Sequence, residues 1–576
     1  MSAVWQARGA VVIAFGMAIS SFAHGQGDDA SRGLRIESLI KPHFEEPRYK
    51  QEQTDLLTTP QVLPAPPSEQ GNSISTAASI PVQKVQVIGS TIFSAQQLAQ
   101  WVQPFENRSV SIDELQALRH QLSMEYLNRG YVNSGVVIPA QDVGDGIIIF
   151  NVIEGGLTEL KLSGNEDIAD SYLLYRVNKG VDAPLNVNEI QAALRELQQN
   201  SLVRRVAAQL RPLSQLGQSE LEIVVTEAPS RELFIGVNNH RTPSVGAEDV
   251  SLAYTDYNLS GHGDALSASI ASTEGLSELS LAYTLPVPST DYLVSAYYSQ
   301  SDSEVVEEPF DQLDIESESS SYGLRVSRPF EFQGRALTLQ VGFNHRESDA
   351  FLLGEPFSFS AGAIDGESKS TTLELGVDFI NRHADRVYAA NISVRQGLDA
   401  LSSNVSSNDD TPDSEFTAFY GQAQFASKLE FIEGSQLIAR GAFQLSLDPL
   451  LPMEKISVGG HATVRGYREN QLVRDNGVTA SVELRVPLPF FDGRLGSLQG
   501  VAFIDLGQAW DEDVPSQEDG VVEIGSVGLG VLWRPLDNMN VELYWGEALD
   551  EEVIENQSGD LQDDGVHFSV TYAVRF

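Results

Sequence analysis

Two short stretches in the last third of the chain combine residue types that can lock a backbone in place. One is Gly459-Gly-His-Ala-Thr-Val-Arg-Gly-Tyr467, the other Phe503-Ile-Asp-Leu-Gly507. A planar arginine fork at Arg465 and a carboxylate at Asp505 suit a bidentate ion pair. Gly466 permits a tight backbone beside the arginine, and Gly507 clears space around the carboxylate. The chemistry offered is non-covalent anchoring. Residues for covalent chemistry are scattered instead. The nine histidines fall at 24, 43, 120, 240, 262, 345, 383, 461 and 567, with no Gly-x-Ser-x-Gly elbow and no His-Glu-x-x-His pair. His461 lies inside the glycine-rich stretch, where packing suits it better than catalysis. There is no Gly-x-x-x-x-Gly-Lys-Ser/Thr loop for a nucleotide and no cysteine for a disulfide or thiolate metal site. We therefore expect no enzyme, no cofactor and no metal.

The elements that must position Arg465 and Asp505 are strands. From residue 231 onward, apolar residues alternate with polar or small ones in sixteen segments. They start near 231, 249, 263, 276, 291, 320, 335, 369, 387, 415, 434, 477, 498, 522, 539 and 566. The last is clearest: Val566, Phe568, Val570, Tyr572, Val574 and Phe576 share one face. Even-numbered segments are followed by turns of about three to five residues except at 488–497, and most odd-numbered ones by long loops. These are 302–319, 347–368, 399–414, 447–476, 511–521 and 548–565. Short turns on one rim and long loops on the other mark a transmembrane antiparallel β-barrel. Sixteen strands enclose a lumen too wide for side chains to fill, so the channel needs an obstruction. The longest loop carries Arg465. In segment thirteen Ile504 and Leu506 take the lipid face, which aims Phe503, Asp505 and Gly507 inward. Asp505 is then placed to receive Arg465, in a pair partly exposed to lumen water, with Glu483 and Arg485 as other inward charges.

The first 230 residues read differently. Residues 1–25 resemble a secretory signal: Arg8, an apolar run Ala10–Ile19, and small Ala23 and Gly25 before Gln26. Residues 26–50 suggest a short helix and 51–79 a Pro-rich linker. Two β-α-α-β-β modules follow, 80–155 and 156–230. In the first, Val82–Ile88 and Val132–Ile138 read as strands, and Ser111 with Glu114 forms a capping box for a helix reaching Arg129. The second repeats the order, with a strand over Val203–Arg211. Each module should leave sheet edges free. Lys and Arg total 37 against 80 Asp and Glu, a net charge of −43. That balance argues against nucleic acid as a partner. The acidic stretches 302–319 and 547–564 read as solvated loops, without calcium-loop spacing.

In this order, the Val464-Arg465-Gly466-Tyr467 and Phe503-x-Asp505-x-Gly507 motifs resemble the two-partner secretion transporters, which export haemolysins and filamentous adhesins. The resemblance covers nearly the whole mature chain, and implies two periplasmic POTRA modules (80–155 and 156–230) before a barrel over 231–576. It also implies that residues 26–50 plug the resting pore and that the loop is held on the barrel wall through Arg465. The partner would be an unfolded secreted exoprotein that docks on the POTRA edges by strand addition. Outer-membrane lipid, lipopolysaccharide and the barrel-assembly machinery would be the other partners, the last reading terminal Phe576. The alternative within the superfamily is a barrel-assembly factor, and outside it a passive porin.

Overall fold

The computed structural model describes residues 57–58 and 79–576, apart from 199, 289, 333, 408–410, 431, 489–495, 513–519 and 551–558. The expectations for residues 1–50, and most of the 51–79 linker, fall outside the described residues. Among the described residues, no helix is long and apolar enough to cross a membrane. The chain divides into two compact units, one holding the modules and one holding the barrel.

In the module unit, β1 is the two-residue strand Leu57–Thr58. The first module contains β2 (Ser79–Val82), β3 (Lys84–Ile88), α1 (Ala95–Val102), β4 (Arg108–Ser111), α2 (Ile112–Asn128), β5 (Gly135–Val137) and β6 (Ile147–Ile153). Ser94 and Ser111 each close a capping box, the second with Glu114, so both helices begin where their orphan N–H groups find acceptors. Gly130 stops α2 at φ +91°. One apolar face of α2, through Leu115, Leu118, Leu122 and Tyr126, covers Ile148 and Phe150 of the sheet. The sheet order is β3-β6-β5, with β3 parallel and β5 antiparallel to the centre. The sequence suggests one strand over Val82–Ile88, but a bend at Gln83 breaks it. β2 pairs with β4 in a sheet of its own, and β3 belongs to the main one. The Val132–Ile138 strand shortens to β5.

The second module repeats the order: β7 (Gly156–Ser163), α3 (Asp170–Asn178), α4 (Val187–Gln198), β8 (Val203–Pro212) and β9 (Gln218–Glu227). Leu173, Ile190, Leu194, Leu210, Leu221 and Ile223 fill its core. Its sheet order is β1-β8-β9-β7. The Val203–Arg211 edge is therefore not free. Leu57 and Thr58 lie parallel to it opposite Ala208 and Gln209, a pairing that the Pro-rich composition around them conceals.

The barrel comprises β10 (Arg231–Asn238), β11 (Asp249–Asp256), β12 (Ala265–Ser272), β13 (Leu276–Pro286), β14 (Leu293–Glu304), β15 (Ile315–Phe332) and β16 (Arg335–Leu352). After a two-residue β17 (Glu355–Pro356) come β18 (Glu367–Arg382), β19 (Arg386–Gly397), β20 (Thr417–Lys428) and β21 (Gln436–Ser446). Two three-residue strands of the long loop, β22 (Ile456–Val458) and β23 (Leu472–Arg474), precede β24 (Asn476–Pro487), β25 (Ser497–Trp510), β26 (Val521–Leu536), β27 (Met539–Ala548) and β28 (Val566–Arg575). Setting aside β17, β22 and β23 leaves sixteen wall strands among the described residues. Each pairs antiparallel with its neighbours in order, and β28 returns to β10. Seven residue pairs zip that seam, from Glu232–Arg575 to Asn238–Ser569, as many as join β27 to β28.

Alternation sorts the side chains. Leu339, Val341, Leu375, Ile392, Ile504, Leu506 and Leu529 stay exposed on the outer face, as lipid contact demands. Glu374, Arg395, Glu483 and Asp505 are buried on the inner one. Several boundaries shift. The turns at 257–264, 287–292 and 429–435 are longer than the three to five residues expected. The stretch 302–319 is partly strand, since β14 runs to Glu304 and β15 starts at Ile315; β15 and β16 run for 18 residues each, well beyond the roughly nine to eleven that cross a bilayer.

Candidate functional site

Residues 447–475 join β21 to β24 and fold back inside the barrel. Their tip, Gly459–Tyr467, rests on the inner face of β24 to β27. Gly460 N–H bonds to the Val464 carbonyl at 3.0 Å, and Gly459 N–H to Thr463 Oγ1 at 2.8 Å, so the tip closes on itself. That turn delivers Arg465 to the wall.

The arginine meets Asp505 of β25 through two parallel bonds, Nε to Oδ2 at 2.8 Å and Nη2 to Oδ1 at 2.9 Å. Its backbone N–H adds a third at 3.1 Å. Nη1 donates to Glu483 of β24 at 2.7 Å. The guanidinium lies 3.6 Å from the Phe503 ring centroid and 4.8 Å from that of Tyr544 in β27. The sequence suggests a pair partly open to lumen water. Instead Arg465 and Asp505 are 4% and 1% exposed at the side chain, roofed by those two rings. Glu483 is not merely another inward charge. It pairs with Arg485 and Arg440 as well as Arg465, so two acidic wall groups face three guanidiniums. Desolvating charges so fully is tolerable only with such pairing.

The other motif residues surround this contact. Val464 is fully buried against β25. A Cβ on Gly507 would fall 2.5 Å from Val458 and 2.8 Å from Val464, so glycine is what lets the loop lie flat there. Gly466 adopts φ +95°, and a Cβ would sit 2.8 Å from the Gly546 carbonyl oxygen of β27. Tyr467 is buried and donates its hydroxyl to the Gly525 carbonyl at 3.1 Å, while Asp550 N–H donates to it. Phe576 stands apart. It is 59% exposed on the outer face, with its backbone paired to Arg231 across the seam.

Several participants carry no motif. Arg468 bridges Asp563 (2.9 Å) and Glu307 (2.8 Å), joining the inward loop to two of the acidic loops. Glu469 N–H donates to Gln562 Oε1 at 2.8 Å, and Gln562 donates to the carbonyls of Asn239 and Arg241. Burial raises the Glu469 carboxyl to about 8, against the His461 N–H and Arg241, which favour its charge. His461 stacks on His240, centroids 3.6 Å apart. That is a packing contact. Only the acidic character of 302–319 and 547–564 hinted that cations would be needed there.

A family model described as haemolysin secretion/activation protein ShlB/FhaC/HecB matches residues 217–532, over half of the chain. The chain belongs to this family. The haemolysin secretion/activation proteins of this kind are outer-membrane β-barrel transporters of two-partner secretion, with POTRA domains in the periplasm. A ShlB-type POTRA model matches the first module at 80–155. Among similar proteins, the outer membrane transporter CdiB of Escherichia coli is 22% identical over 492 residues, covering 83% of this chain and 81% of its own length. Hemolysin transporter protein ShlB of Serratia marcescens is 24% identical over 445 residues, covering 75% and 76%. In structure, CdiB from Escherichia coli covers 96% of this chain and 99% of itself, with TM-score 0.61 and 19% identity. BamA from Haemophilus ducreyi lacking POTRA domains 1-3 covers 86% and 100%, with TM-score 0.54 and 15% identity. Those two likenesses concern the fold.

Proposed function

We propose that this member of the haemolysin secretion/activation family carries one separately made, unfolded exoprotein, haemolysin- or adhesin-like, from the periplasm through its barrel lumen. The observation that carries the reading is the long loop, fastened inside a closed sixteen-stranded barrel by the buried Arg465–Asp505–Glu483 cluster. A wide barrel with a strapped-in loop is an obstructed channel, and obstruction has a purpose when a polypeptide must pass on demand. The second module is read as a further POTRA domain because it repeats the first in element order. Since β8 is occupied by Leu57 and Thr58, the edge strand β5 is the better docking rail for an extended partner segment. Residues 1–25 are read as the export signal and 26–50 as the plug. Phe576 is read as the signal recognised by the barrel-assembly machinery, and the apolar outer face as seated in lipid and lipopolysaccharide. No enzymatic step, cofactor or nucleic acid enters the reading.

The second reading, a barrel-assembly factor, draws on the likeness to BamA. It would need a seam that opens sideways, and seven paired residues between β10 and β28 favour export instead. Co-expression with any large exported protein that a neighbouring reading frame encodes decides. Surface display of that protein should require this chain, and insertion of unrelated barrels should not. Unchanged display in a deletion strain would leave a porin.

A further inference from the structure

The long loop touches the wall a second time, before the tip. A short 3-10 turn at Pro452–Glu454 turns Glu454 inward, where it is 3% exposed. One carboxylate oxygen accepts from Ser370 Oγ of β18 at 3.1 Å. The other accepts from Arg395 Nη1 of β19 at 3.3 Å and lies 3.7 Å from Arg346 Nη1 of β16. Arg346 also donates to the Met453 carbonyl at 3.0 Å, and Gln444 of β21 to the Glu454 carbonyl at 2.8 Å. The receiving surface is built in advance. Arg395 is held at 3.4 Å by Glu374 and lies 4.2 Å from the Tyr420 ring centroid. Glu374, Arg395 and Glu454 all have side chains 3% exposed or less. Arg346, Arg395 and Glu374 together form a charged wall surface, largely removed from water, on which a loop carboxylate is well placed. The loop brings that carboxylate as Glu454.

Arg465 does the reverse, bringing a cation to wall carboxylates. The Glu454 side chain finds its partners on β16, β18 and β19 and the Arg465 side chain on β24, β25 and β27, so the two attachments share no side chain. We propose that Glu454 is a second, independent anchor of the inward loop, a positioning residue that fixes where the loop crosses the lumen. This rests on the reading of that loop as the channel's obstruction.

The test uses full-length protein in planar lipid bilayers, with Glu454→Gln, Glu454→Asp, Arg465→Ala and the Glu454→Gln/Arg465→Ala double variant. Barrel assembly is checked by heat-modifiable mobility. Glu454→Gln should raise channel opening about tenfold, as loss of one buried charge partner implies. Glu454→Asp should recover most of it, and the double variant should exceed either single one. Wild-type conductance in Glu454→Gln, or a double variant no more open than Arg465→Ala, would overturn the proposal. Should Glu454→Gln fail to assemble, Ser370→Ala takes its place: it removes one bond to the same carboxylate and must also raise opening, and an unchanged channel refutes the anchor. Conductance needs no exoprotein. Failure of the export reading would therefore show as absent secretion by the wild type while the conductance differences persist.

Discussion

At the level of single residues, Arg465 matters through what it leaves behind. In Arg465→Ala, Glu483 keeps Arg440 and Arg485, whereas Asp505, buried, loses the ion pair it makes among the described residues. Loop docking should weaken by about 3–5 kcal/mol. We expect secretion to fall more than about tenfold while the barrel still runs as a heat-modifiable band; Arg465→Lys, lacking the fork, should rescue little. Secretion at the wild-type rate would remove the loop from the mechanism. In the first module Glu154 plays a comparable part with water nearby. Burial pushes its carboxyl up, but N–H groups of Thr91 and Ile92 and the hydroxyls of Thr91 and Tyr126 outweigh burial and hold it below the usual carboxylate range. A depressed folded value means stability that is present above about pH 4.5, the unfolded range, and is lost as pH falls through the folded value. Amide protection factors of the first module in the full-length protein, corrected for the intrinsic pH dependence of exchange, should therefore fall below that pH. Glu154→Gln should weaken the module at neutral pH and flatten the dependence. Identical exchange profiles for the two proteins would exclude this role.

Among the elements, the inward loop and β27 approach so closely that neither strand nor loop has room for a side chain. Gly466→Ala would put a Cβ 2.8 Å from the Gly546 carbonyl oxygen, and Gly546→Ala one 2.8 Å from the Gly466 nitrogen. Both partners are backbone and cannot rotate away. Each substitution should lift the tip from the wall, raising conductance without disturbing barrel assembly, and an unaltered channel in both would contradict the contact. The wall strands were readable in advance because lipid forces every second side chain to be apolar, as Val566 to Phe576 display. That force ends at the membrane surface. Ile315-Glu-Ser-Glu-Ser-Ser-Ser321 is polar on both faces although it opens β15, so it reads as loop. The contact between Arg465 and Asp505 was legible from strand parity, whereas Glu454 has no periodic neighbourhood and its wall partners Ser370 and Arg395 lie 84 and 59 residues away. Likewise, two residues pairing with β8 leave no pattern at all.

For the molecule as a whole, export and membrane insertion make opposite demands on the seam. A chain without cysteine allows them to be separated cleanly. Val237 and Val570 face each other across β10 and β28. A Val237→Cys/Val570→Cys disulfide would weld the cylinder shut. Secretion should be equal with and without reductant; dependence on reductant would mean that the wall parts during the cycle, and would shift the reading toward an assembly factor.

Arg468 gives the mouth a property that none of its loops has separately. By holding Glu307 and Asp563 together, it makes three segments far apart in sequence into one cross-braced lid, and so ties their evolution. In an alignment of relatives, positions 307, 468 and 563 should change in concert, with a lost arginine accompanied by lost acids.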